Sequence, residues 1–340
     1  MYALARQLLF LWDAERVHET IVRIARFCAS PVVQTFLRMQ YGGGDSPALE
    51  RKVAGLRFVN PIGLAAGFDK NGYLVDVLPA LGFGFLEIGT VTPRPQQGNP
   101  KPRLFRLPKD KALINRLGFN NEGAEAVAAR LERRKSSIIL GANIGKNKDT
   151  PNAKAADDYT ECFLQLHRYV DYLTVNVSSP NTPHLRELQN KRELVTILSR
   201  LQKINSSRKP MFLKIAPDLN SAQLNDIITV VRETGISGII AANTTISREG
   251  LQTPKEQLAK IGEGGVSGKP VSQKINRIIR YLSERSEGEI PIIGAGGIFS
   301  AADAAEKIRA GASLLQLYTG LIYEGPGLIK RIKKGLPELL

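Results

Sequence analysis

A chain of 340 residues with 43% hydrophobic and 23% charged residues has globular proportions, with length for one large core and a small accessory element. Its formal net charge of +15 favours anionic partners, but no lysine/arginine block is interleaved with aromatics, so nucleic acid is not expected. Two cysteines, Cys28 and Cys162, without CxxC spacing, and three histidines outside any metal-ligand pattern argue against a disulfide framework and against a metal site.

Both thiols are expected to be buried. The first apolar stretch is broken by Arg6 and Asp13 and lacks a cleavage site, so it does not read as a secretory signal. No run of about 18 apolar residues is present to span a membrane. Residues 1–41 read as two short amphipathic helices. Leu4, Leu8 and Leu11 mark the first stripe; Asp13 is a plausible N-cap for the second, marked by Val17, Ile21 and Ile24. Such a pair either packs on the main body as a hairpin or lies in a membrane interface, and Arg6, Arg16, Arg23 and Arg26 beside the apolar faces favour the second role. Tyr41-Gly-Gly-Gly-Asp-Ser-Pro47 cannot sustain regular structure and places a linker at 42–50, ahead of a main domain at 51–340.

Beyond the linker, short apolar runs alternate with longer helix-patterned segments. Strands are expected at 62–66, 83–89, 138–143, 172–177, 211–216, 238–243, 290–295 and 313–318, and helical spacing occupies segments such as 121–134, 153–168 and 221–234. Near-continuous apolar character fits parallel strands covered on both faces. The predicted architecture is an α/β fold, a (β/α)8 TIM barrel with a small N-terminal two-helix extension. The alternative, a doubly wound open sheet, lacks its Gly-x-Gly-x-x-Gly after the first strand.

In such a barrel the chemistry sits where the strands end. Those ends are polar or glycine: Ala65-Ala-Gly-Phe-Asp-Lys-Asn-Gly72, Thr90, Asn143, Asn176 to Thr182, Lys214, Asn243-Thr-Thr245, Gly294-Ala-Gly-Gly297 and Tyr318-Thr-Gly320. Gly296 and Gly297 before a helix start offer bare N–H groups to a phosphate, with Tyr318 and Thr319 completing the site, although a tight turn would look the same. Lys70 and Lys214 can hold anionic groups, or can be solvated loop cations. Asn115, Asn143, Asn176, Asn181 and Asn243 suit an amide or imide ring, which both donates and accepts. Ser179, between Ser178 and Pro180, is either a turn residue or a base whose proton leaves through Thr182 or water. His184 belongs to no Gly-x-Ser-x-Gly elbow.

Five motifs in order carry a family resemblance: Ala65 to Gly72, Asn115-Arg-Leu-Gly-Phe-Asn-Asn121, Asn176-Val-Ser-Ser-Pro-Asn-Thr182, Asn243-Thr-Thr245 and Gly264-Gly-Val-Ser-Gly268. Together they resemble the quinone-dependent, class 2 dihydroorotate dehydrogenases over essentially the whole chain. The resemblance implies FMN across the barrel mouth, on Ala66, Gly67, Lys70, Thr90, Asn143, Asn176, Lys214, Ala242, Gly265, Gly268, Gly297, Tyr318 and Thr319. Many relatives carry threonine where this chain has Ala242. For dihydroorotate it implies Lys70, Asn115, Arg116, Leu117, Gly118, Phe119, Asn176, Asn181, Asn243 and Thr244, with Ser179 as catalytic base and Thr182 in its proton relay.

Class 1 relatives have cysteine in place of Ser179 and lack the helical extension. The resemblance therefore implies a membrane quinone, with His18, Arg106 and Tyr318 beside its tunnel. It further implies oxidation of dihydroorotate to orotate in pyrimidine synthesis, by a peripheral protein on an anionic membrane surface at the cytoplasmic face of a bacterial inner membrane. Neither metal nor nucleic acid is expected as a partner. The competing expectations are a soluble FMN dehydrogenase using fumarate or a nicotinamide, and a non-redox phosphate-binding barrel or basic membrane-associated binding protein. A colourless purified protein would oppose both redox readings.

Overall fold

The computed structural model describes residues 2–27 and 30–340, without the side chain of Phe27. Cys28 falls outside the described residues, whereas Cys162 is a buried free thiol. In chain order the strands are β1 (Arg51–Val53), β2 (Leu56–Phe58), β3 (Ile62–Leu64), β4 (Phe85–Val91), β5 (Leu104–Leu107), β6 (Ala112–Asn115), β7 (Ile139–Ile144), β8 (Tyr172–Asn176), β9 (Met211–Ile215), β10 (Gly238–Ala241), β11 (Gly265–Gly268), β12 (Ile292–Ala295) and β13 (Leu314–Leu317). The eight apolar runs are β3, β4, β7, β8, β9, β10, β12 and β13, and they close into one barrel in that order. Every neighbouring pair is parallel, with β13 returning to β3 through Leu315↔Ile62. Helices cover the outside, so β4 is buried along its whole length, as the lack of polar alternation required.

Side chains alternate across each strand, so residues two apart stack inside the barrel. The lowest layer is aromatic: Phe85, Tyr172 and Phe212 pack with Ile240, Ile293 and Leu314. Glycines make room for it, because a Cβ on Gly141 would lie 2.1 Å from the Tyr172 ring and one on Gly63 would lie 2.3 Å from Phe85. The hairpin β1–β2 plugs this end, with the Phe58 ring 5.3 Å from that of Phe85, edge to face. One step up the same strands the inward residues are Glu87, Thr174, Lys214 and Gln316, and a further step reaches Asn176 and Tyr318. Closure and alternation thus set a polar floor above an apolar plug.

Two features go beyond the sequence reading. The N-terminal element holds α1 (Tyr2–Phe10), α2 (Ala14–Phe27) and also α3 (Pro31–Tyr41). The third helix starts where the Ser30 hydroxyl caps the Val33 N–H at 3.4 Å and Pro31 occupies the first turn, a local start signal of known form. Asp13 caps α2 as expected, accepting the Arg16 N–H at 2.9 Å. The second feature is a separate antiparallel sheet, in the order β11-β6-β5, over the barrel mouth. Its register sets Gly265 opposite Asn115.

Phe58→Ala empties the barrel plug and is expected to lower unfolding stability by about 3–5 kcal/mol in chemical denaturation, the range for a buried phenylalanine, without altering the polar floor above.

Candidate functional site

Glu87 lies at the centre of the barrel and is fully buried. Its Oε2 accepts from Gln316 Nε2 at 2.8 Å, the Thr174 hydroxyl at 3.1 Å and the Tyr172 hydroxyl at 3.2 Å. Its Oε1 accepts from Asn143 Nδ2 at 2.9 Å and stands 3.7 Å from Lys214 Nζ. A buried carboxylate persists only when paired and hydrogen-bonded, and here four donors and an ammonium satisfy it. Burial and the adjacent carboxylate hold the Tyr172 phenol protonated, well above its ordinary range.

The mouth is wired above this floor. Asn143 Oδ1 accepts from the Thr90 hydroxyl at 2.6 Å and from Asn176 Nδ2 at 3.0 Å. Asn176 Oδ1 accepts the Ser178 hydroxyl at 2.8 Å, and the Ser178 oxygen accepts Asn243 Nδ2 at 2.9 Å. The carboxamides read from separate strand ends therefore form one network. Each amide orients the next, so their free edges have fixed donor and acceptor sense.

A cavity opens over this network. Its wall contains Ala66, Gly67, Lys70, Thr90, Asn115, Leu117, Gly118, Phe119, Asn176, Ser179, Asn181, Lys214, Ala242, Asn243, Thr244, Gly297, Tyr318 and Thr319. Ser179 is buried, and its oxygen accepts the Asn181 N–H at 3.2 Å. Asn181 Nδ2 donates to Asn115 Oδ1 at 3.1 Å, joining the serine segment to β6. Desolvation outweighs the pull of Glu15 and pushes Lys70 down to about 8. At one end Gly296, Gly297 and Thr319 line the cavity beside Ser267, whose hydroxyl is 2.8 Å from that of Thr319.

Some sequence-predicted residues stand elsewhere. Asn143 lies behind the wall and acts through Thr90 and Asn176. Gly265 and Gly268 are the ends of β11, where a Cβ would meet Thr244 and the Lys111 carbonyl respectively. The Arg116 guanidinium turns to the carbonyls of Ile261, Glu263 and Pro102 and so braces loops instead of facing the cavity. Thr182 is buried, and its Oγ1 has no hydrogen-bond partner among the described residues. Glu87, Gln316 and Ser267 were missed. A lone acid inside a fully apolar run was the available signal for Glu87.

A second cavity, mostly apolar and of about 440 Å3, lies between the N-terminal helices and the barrel. It is lined by Phe10, Val17, His18, Ile21, Leu37, Phe68, Leu78, Arg106 and Tyr318 among others. All three residues assigned to a tunnel are therefore together. The His18 ring meets Phe68 edge to face at 5.0 Å, and Phe68 meets Tyr318 at 5.9 Å. Burial first, then the Lys70 charge, drives His18 down to about 3, so it is neutral at ordinary pH. Arg106 donates to the Trp12 carbonyl at 2.6 Å and stacks on Phe10. Tyr318 lines both cavities.

A family model described as dihydroorotate dehydrogenase matches residues 48–340. The dihydroorotate dehydrogenase (quinone) of Christiangramia forsetii is 54% identical over 340 residues, covering 99% of this chain and 98% of its own. That of Neisseria meningitidis is 47% identical over 350 residues, covering 99% and 100%. Among solved structures, the ligand-free DHODH of Eimeria tenella superposes with a TM-score of 0.85 at 39% identity, over 95% of this chain and 94% of that one.

Because Glu87 and Lys214 are buried together, Glu87→Leu is expected to destabilise the fold by about 3–5 kcal/mol through the ammonium left unpaired. Glu87→Leu with Lys214→Met should regain much of that loss, as read from denaturation midpoints.

Proposed function

This chain belongs to the dihydroorotate dehydrogenase family, and from that premise we propose that it oxidises dihydroorotate to orotate at the barrel mouth and passes the electrons to a quinone beneath its N-terminal helices. The observation that carries this reading is the position of Tyr318, which forms part of a polar and an apolar chamber at once. A soluble acceptor would have no use for the apolar one. In this division of labour residues 1–41 bind quinone and membrane, 42–50 link, and 51–340 form the flavin-binding barrel.

A bound flavin would supply the two-electron acceptor. The residues present fit one. Gln316 Oε1 is buried at the cavity wall without a partner among the described residues, an acceptor suited to an imide-type ring. Lys214 supplies positive charge beside it, and Thr90 and Asn176 supply fixed polar edges. The assignment to FMN rests on one group of residues suited to a phosphate, Gly296, Gly297 and Thr319.

Lys70 would take the substrate carboxylate, while Asn115, Asn181, Asn243 and Thr244 grip the pyrimidine ring with the matched senses their network imposes. Ser179 removes the C5 proton as hydride leaves C6. A serine needs somewhere to send that proton, and the relay role given to Thr182, three residues on, is supported by its buried hydroxyl oxygen, which has no partner among the described residues.

Quinone delivery accounts for the outer face of the N-terminal element. Leu4, Leu8, Leu11, Trp12, Ile24, Val32, Phe36 and Met39 are exposed on this element, Leu11 to 80%, with Arg16 and Arg23 exposed on α2 and Arg38 on α3. Among the described residues no helix is long and apolar enough to cross a membrane. These faces suit interfacial binding to an anionic membrane surface, and we place the protein on the cytoplasmic face of a bacterial inner membrane. Neutral His18 is compatible with an apolar quinone as neighbour.

Ser179→Ala should keep its flavin yet slow flavin reduction by dihydroorotate about 10² or more, the scale of a positioned acid–base group; unchanged single-turnover reduction would remove Ser179 from the role. Lys70 is cationic below about 8 and neutral above it. Substrate capture, measured as kcat/KM, should therefore fall as pH rises through that value, and Lys70→Gln should abolish this limb.

A further inference from the structure

Helix α2 walls the apolar chamber, but its firmest buried contact leads to the other one. Arg103 Nε donates to Glu15 Oε1 at 3.0 Å, and Nη2 donates to the same carboxylate at 2.8 Å. Both side chains are only 7% exposed. The third nitrogen, Nη1, donates to the carbonyls of Gln97 at 2.6 Å and Asn99 at 2.8 Å. The guanidinium fork thus spans a helix on one side and a loop on the other.

Asn99 extends the connection. Its Nδ2 donates at 3.0 Å to the carbonyl of Arg116 and at 3.0 Å to that of Asn181. Those carbonyls belong to the two segments that carry Asn115 to Phe119 and Ser179 to Asn181, which meet across the polar cavity. A path of hydrogen bonds therefore runs from α2 through Arg103 and Asn99 to the carbonyl of Asn181, two residues beyond Ser179. A neighbouring pair on the same helix, Glu19 with Lys101 at 2.8 Å, is half exposed, and its ammonium also stands 3.6 Å from Glu15 Oε1.

We propose that Glu15 and Arg103 are positioning residues for dihydroorotate oxidation, so that the N-terminal element holds the substrate loops in place as well as receiving quinone. This rests on the assignment of the polar cavity to dihydroorotate. With Glu15 gone, the buried Arg103 charge has only the Gln97 and Asn99 carbonyls as partners among the described residues. It then draws on water or shifts toward the Gln97 to Asn99 loop, and Asn99 carries that shift to Asn181. The Glu15 carboxylate also favours the cationic form of Lys70 against burial, so its removal weakens the carboxylate grip in the same direction. Because coupling between sites is reciprocal, a ligand in the polar cavity must in turn tighten α2.

The test uses the flavin-loaded full chain, without quinone. Orotate is titrated by the flavin spectrum, and reduction by dihydroorotate is followed in single turnover. Glu15→Gln and Arg103→Lys should each raise the orotate dissociation constant and lower the limiting reduction rate about tenfold, within the usual span of site-to-site coupling. Glu19→Gln should stay within about twofold of wild type, as for an exposed pair. If the Glu15 and Arg103 variants bind orotate and are reduced as wild type is, with only quinone reduction slowed, the proposal is overturned. It is equally overturned if they lose flavin while the fraction still loaded keeps the wild-type orotate constant, since that marks a merely structural role. A readout on wild type covers variants that do not fold: orotate should slow amide hydrogen exchange in the first turns of α2, and no such protection overturns the proposal. Failure of the wild-type flavin to be reduced by dihydroorotate would instead refute the assignment of the cavity itself.

Discussion

The structure is organised around a carboxylate that has no access to water. Glu87 sits inside the closed barrel with Gln316, Thr174, Tyr172 and Asn143 donating to it and Lys214 beside it. A charge buried there is tolerable only if its partners cannot move away, and closure of the barrel prevents that movement. Asn143, oriented from below by Glu87, orients Thr90 and Asn176 above, and Asn176 in turn fixes Ser178. The senses of the hydrogen bonds offered at the mouth are therefore decided one layer beneath it.

That constraint also explains why two unlike chambers can share a wall. The rigid floor sets the base of the polar cavity, while the N-terminal helices add an apolar one beside it, and Tyr318 lines both. Burial pushes the Tyr318 phenol up to about 12 and His18 down to about 3, so the aromatic path through Phe68 carries no ionised group at ordinary pH. The barrel supplies precision and the helices supply access to an apolar electron acceptor. The buried contact of Glu15 with Arg103 joins the two parts.

Much of this was legible in the residues, for physical reasons that also mark the boundary. A parallel strand covered on both faces must be nearly all apolar, so the eight barrel strands stood out, and their polar ends pointed to the mouth. The sheet of β5, β6 and β11 did not, because each strand is only four residues long and holds groups such as Arg106, Asn115 and Ser267. Helix α3 was missed although Ser30-Pro31 announces it, since Val32, Phe36 and Met39 face outward and only a part of its apolar residues, such as Leu37, turns to the chamber. Arg116 lies within a recognised motif, yet its direction depends on carbonyls more than 140 positions away. Glu15 and Arg103 are 88 residues apart, and no local pattern records such a pairing.

The central claim is that one flavin serves both chambers in turn, and anaerobic titration of the full-length protein addresses it most directly. Dihydroorotate added without quinone should bleach the flavin band and release orotate in equal amount, and a quinone added afterwards should restore the band with no further orotate formed. A flavin that stays oxidised under dihydroorotate, or one that is reduced but regains its band only with a soluble acceptor such as fumarate or a nicotinamide, would contradict the account.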